Sequence, residues 1–262
     1  LKMHRILWVL SGLSILVLGV AVIFPPIAQP IDYHQFADQR NFLNIPNFYN
    51  VVSNLAFLLS GAAGWLFLLR AYHSPAQTAF RSKAEFSPYW VLRFSVIASA
   101  FGSIFYHWVP DNDYLLWDRL PIAIGVTALL AATLAERVGA VLGLWLLPML
   151  TALGIWSVLH WYWTEQAGAG NLNFYIVTQF YSILLIVLLS GFCQSRYTHA
   201  NYIYQVIGLY AVAKLAEMLD MQIYHFTSQL ISGHTIKHLL AAFAVYRIVR
   251  MLQIRAFLPE SI

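Results

Sequence analysis

Charge is the scarcest resource in this chain: of 262 residues only 10% are Asp, Glu, Lys or Arg. A soluble domain carries about 25%, so too little polar side chain is present to clothe a water-facing surface, and lipid must be the main solvent. Cysteine is nearly absent as well. Cys193 stands alone, which excludes an intrachain disulfide and any multi-cysteine metal site. The apolar runs also lack the strict alternation of an outer-membrane barrel. No low-complexity linker, soluble domain or tandem repeat interrupts the chain. The formal net charge is +4, but its basic residues are dispersed between apolar runs, which argues for membrane topology rather than a nucleic-acid partner.

Hydrophobic residues make up 60% of the chain and the mean hydropathy is +0.65. Nine Trp and 15 Tyr suit the two membrane–water interfaces. A helix needs about 20 apolar residues to cross a bilayer. Eight stretches qualify, at about 6–27, 51–72, 88–109, 115–134, 139–161, 173–194, 202–220 and 234–254, predicting an all-α, polytopic transmembrane bundle. The first begins like a signal peptide, with Lys2 and Arg5 before an apolar run. Its length, and the Phe24-Pro25-Pro26 ending without a small-x-small cleavage site, favour retention as a membrane helix. Lys2, Arg5, Arg70, Arg81, Lys83, Arg137, Arg196, Arg247, Arg250 and Arg255 fall on alternate loops, and only Arg40 falls on the opposite ones. The positive-inside rule then puts both termini in the cytoplasm.

Ionisable residues inside spans are costly and mark interiors or wet cavities. Three clusters stand out: Gly102-Ser103-Ile104-Phe105-Tyr106-His107, Leu116-Trp117-Asp118-Arg119-Leu120-Pro121, and Ser232-Gly233-His234-Thr235-Ile236-Lys237-His238. Ser103 and His107 share a helix face, as do His234 and His238, whose imidazoles can converge on one ion. With the third span running outward and the fourth and eighth inward, His107, Asp118, His234 and His238 all lie within roughly two turns of the non-cytoplasmic boundary. Three neutral imidazoles with water in the fourth position make a common open zinc site. Each element alone has a plainer reading: an interfacial histidine, a haem-binding or capping pair, a packing serine, or an Asp118–Arg119 ion pair. Asn47, Asn50, Ser53 and Asn54 read chiefly as helix–helix hydrogen bonders. Lys214 with Glu217 reads as an intramembrane ion pair, and Asp220 as a carboxylate able to orient a ligand histidine. His34, His160, His199 and His225 carry no assigned role.

The clusters, in this order and together with Asn50-Val51-Val52-Ser53-Asn54-Leu55, resemble the alkaline ceramidase family within the CREST superfamily of membrane hydrolases, over about residues 38–246. The resemblance implies a seven-helix core within 31–262, preceded by an added N-terminal transmembrane helix within 1–30. It implies zinc held by His107, His234 and His238, an oxyanion stabilised by Ser103, and a water proton handled by Asp118. It also implies hydrolysis of the amide of ceramide or another N-acyl lipid drawn from the bilayer. Some members bind calcium through carboxylates before the first core helix. Here Asp38 remains, but Gln39, Arg40, Asn41 and Asn47 replace most of the others, so calcium is not expected. A seven-helix receptor or lipid-binding protein with a structural metal, and a haem protein using the same histidines, are the alternatives.

Overall fold

The structure is a computed structural model that describes residues 3–258; Lys2, one of the basic residues used for sidedness, lies outside them. Among the described residues there is no β-strand. The helices are α1 (Met3–Ile23), α2 (Phe48–Val52), α3 (Leu55–His73), α4 (Ser87–Trp108), α5 (Asn112–Arg137), α6 (Ala140–Gln166), α7 (Asn173–Ile176), α8 (Ser182–Phe192), α9 (Tyr202–Met218), α10 (Asp220–Phe226) and α11 (Gly233–Ile254). Each of the eight expected spans coincides with a long helix or a nearly continuous helical segment. The second is α2 with α3, and the sixth is α7 and α8 joined by a π-helical turn, Val177–Tyr181. The first six are long and apolar enough to cross a bilayer. The last two fall short on composition or length alone: α9 has 17 residues, while α11 has 22 but carries Lys237, Arg247 and Arg250.

Helix ends are set by local chemistry. Asp111 caps α5 by accepting from Tyr114 N at 2.8 Å, and Ser232 caps α11 by accepting from Thr235 N at 3.1 Å, each satisfying a backbone donor that has no partner within its helix. Pro88 sits in the first turn of α4, where a missing N–H costs nothing.

Six elements close into a ring. Contacts run from α3 to α4, α4 to α5, α5 to α8, α8 to α9, α9 to α11 and α11 back to α3. Helix α6 packs outside α5. Helix α1 is peripheral, resting on α7 and the π turn, with Ser14 Oγ 2.7 Å from Tyr181 Oη. Its side chains are mostly exposed, as a helix surrounded by lipid would be. At the ring end away from the histidines, Arg255 pairs with Glu136 and donates to Ala79 O at 2.7 Å. Arg137 donates to Cys193 O there at 2.7 Å.

Two close backbone approaches place the site. Pro121 lies inside α5 and has no N–H to offer the Trp117 carbonyl four residues back. That carbonyl faces Gly102 of α4, where an added Cβ would lie 2.0 Å from Trp117 O. Only glycine permits this contact, which sets Ser103 beside Asp118. At the start of α11, a Cβ on Gly233 would lie 2.0 Å from Ala216 O, so glycine also lets α11 enter tight against the end of α9.

Candidate metal centre

His107 occupies the last turn of α4, and His234 and His238 the first two turns of α11. All three are buried, at 1%, 6% and 3% exposure. His107 Nε2 lies 3.2 Å from His238 Nε2 and 3.3 Å from His234 Nε2, and a ligand atom from each ring lies within 4.8 Å of the others. The ring centroids form a nearly equilateral triangle with sides of 4.7, 4.8 and 4.9 Å. Nitrogens bound tetrahedrally at about 2.0–2.1 Å from zinc must sit about 3.3–3.4 Å apart. The two Nε2 separations match that edge length, so the three histidines can hold a metal ion.

Surrounding groups prepare the ligands unequally. Ser53 donates to Asn50 O at 3.1 Å, which uses its only proton, and it lies 2.8 Å from His238 Nδ1. It therefore accepts from His238 Nδ1–H, leaving the Nε2 lone pair turned to the centre. His107 Nδ1 is buried and has no hydrogen-bond partner among the described residues; the His107 backbone carbonyl accepts from Asn47 Nδ2 at 2.9 Å. Lys237 Nζ lies 2.9 Å from His234 Nε2 and donates to Glu217 at 2.9 Å. A cation at the centre needs that imidazole lone pair, and Glu217 gives the ammonium an alternative partner. Phe36 roofs the group, its ring 4.6 Å from His107 and 4.8 Å from His234.

The supporting residues act largely through the backbone. Asp220 accepts from His234 N at 2.7 Å and Ala37 N at 2.9 Å. It holds the start of α11 and the Phe36 segment, rather than orienting an imidazole. Asn50 Oδ1 accepts from Thr235 Oγ1 at 2.9 Å, tying α2 to α11, and Lys214 pairs with Glu217. His34 bridges Tyr106 Oη and Asn112 Oδ1 at 3.0 and 3.2 Å, a connection with no sequence signal. Asp38 is taken by Arg40 at 2.6 Å.

Inside the ring lies a cavity of about 350 Å³. Ser103, Asp118 and His238 line it, together with apolar residues such as Leu92, Val96 and Ile186. The Asp118 carboxylate is within reach of the Ser103 hydroxyl. Arg119 is not its ion-pair partner: the guanidinium donates to Gln29 Oε1 at 2.6 Å and stacks 4.2 Å from Trp161 and 4.9 Å from Tyr175. Glu217, the other acidic residue in the wall, is committed to Lys214 and Lys237. Asp118 thus has no ion-pair partner among the described residues. The π turn contributes Gln179 to the lining, bonded to Tyr210 of α9 at 2.8 Å; π turns are frequent at functional sites. Neither this turn nor Phe36 is marked by a motif.

The chain therefore combines a buried three-histidine group with a neighbouring carboxylate and hydroxyl on an apolar cavity. No protein-family model matches the chain, and no curated protein matches it.

Proposed function

We propose that the protein is a zinc-dependent membrane hydrolase that cleaves the amide bond of ceramide or a related N-acyl lipid, in the manner of the alkaline ceramidases it resembles. The observation that carries this reading is the convergence of three buried imidazoles at a cavity that also presents Asp118 and Ser103. A closed structural site has no need of the last two.

His107, His234 and His238 hold the ion. Zinc bound there supplies Lewis acidity, activating water near neutral pH and polarising the carbonyl under attack. Asp118 accepts the proton of the attacking water and passes it to the leaving amine. Ser103, one turn before His107 on α4, donates a hydrogen bond to the oxyanion as it develops. The apolar wall takes the acyl chain and excludes water. Contacts between α8 and α9 are sparse, and both helices contribute to the wall, so a lipid enters sideways between them. By the positive-inside assignment, the site faces the non-cytoplasmic side.

The test is hydrolysis of a C18 ceramide by purified, zinc-loaded protein in mixed micelles, with the released fatty acid and sphingoid base followed by mass spectrometry. Release that depends on zinc and on Asp118 supports the reading. Zinc retention without cleavage of any N-acyl lipid replaces it with a receptor or binding protein.

A further inference from the structure

Three charged side chains of α9 and α11 line the apolar cavity: Lys214, Glu217 and Lys237. Glu217 pairs with both lysines, so two ammonium groups share one carboxylate and a positive charge is left over. Arg119, also in the wall, has no carboxylate within ion-pair distance among the described residues and is balanced only by Gln29 and aromatic rings. The lining thus holds three cations against two carboxylates, Glu217 and Asp118, within a helix bundle where an unbalanced charge is costly. A ceramide headgroup, which is neutral, leaves that excess unanswered.

The position of Lys237 makes the excess specific. Its Nζ is 2.9 Å from His234 Nε2, which is 3.3 Å from His107 Nε2. An anion held by this ammonium therefore lies within a few bonds of a carbonyl placed at the metal centre. Resting on the hydrolase reading above, we infer that the preferred substrate is an N-acyl α-amino acid, whose carboxylate sits two bonds from the amide nitrogen and pairs with Lys237 and Lys214. Hydrolysis adds the hydroxyl of water to the acyl carbon and its proton to the nitrogen as the C–N bond breaks, releasing a fatty acid and an amino acid.

The experiment compares N-oleoylglycine with N-oleoylethanolamine, which has the same acyl amide but a hydroxymethyl group in place of the carboxylate. Binding and kcat/KM are measured for zinc-loaded wild-type protein and for Lys237→Met. Wild-type protein is expected to favour N-oleoylglycine by about 10- to 100-fold, the range for one hydrogen bond to a charged group, and Lys237→Met to bring the ratio towards one. Equal wild-type treatment of the two amides, or preference for the ethanolamide, overturns the inference even if Lys237→Met does not fold. Tighter binding of N-oleoylglycine with neither amide cleaved upholds the anion site and removes the hydrolase reading. Cleavage of both at equal rates does the reverse.

Discussion

Replacing Gly102 with alanine puts a methyl group 2.0 Å from the Trp117 carbonyl oxygen and 2.7 Å from its carbon. Both are backbone atoms, so no side chain can swing aside. Ordinary contact begins at 3.4 Å, and closing the gap from 2.0 Å means separating α4 from α5 by about 1.4 Å. Overpacking of this kind costs about 1–3 kcal/mol. The displacement also carries Ser103 and His107 away from Asp118 and α11, and a misplacement of about 1 Å can cost about 100-fold in rate. Gly102→Ala is therefore expected to melt earlier in detergent, followed by tryptophan fluorescence, and to retain less metal after dialysis. A variant with wild-type melting temperature and metal content would refute the close α4–α5 approach as the device that assembles the site.

Ser53→Ala removes the acceptor that fixes the His238 tautomer; metal affinity should fall about 10- to 100-fold in a competitive chelator titration, with helicity retained. Asp118→Asn keeps the side-chain shape and the three histidines, so bound metal should persist while lipid amide cleavage falls by at least about 100-fold; a metal assay and mass-spectrometric turnover on one sample separate the two. Burial holds the His34 imidazole below its ordinary value of 6.5, outweighing the hydrogen bond it donates to Asn112 Oδ1. The unfolded chain then binds this proton more readily than the folded one, so stability falls as pH drops below 6.5. Melting temperatures from pH 7.5 to 5.5 should show the decline, and His34→Gln should flatten that share of it.

The helices were legible because a bilayer demands long apolar runs, and eight such runs reappear as eight long helical segments. The histidines were legible because i,i+4 spacing puts His234 and His238 on one face, while span direction brings His107 to the same depth. What could not be read is what depends on chain segments arriving from elsewhere. Phe36 roofs the imidazoles only because Asp220 holds the Ala37 amide. The partner of Lys237 becomes evident only when α9 packs beside α11. Asp220 looked suited to orient an imidazole, but its carboxylate meets the His234 backbone amide first, because α11 begins directly above it. The π turn at Val177–Tyr181 depends on backbone geometry, which its residue types do not encode as a motif.

The most direct test of the central claim is metal content per chain, by inductively coupled plasma mass spectrometry, of purified wild-type protein and of His107→Ala, His234→Ala and His238→Ala. One zinc per wild-type chain, lost in all three variants while each stays folded, is the expected result. Wild-type protein that takes up no zinc when it is supplied, or variants that keep a full equivalent, would contradict a metal centre at these histidines.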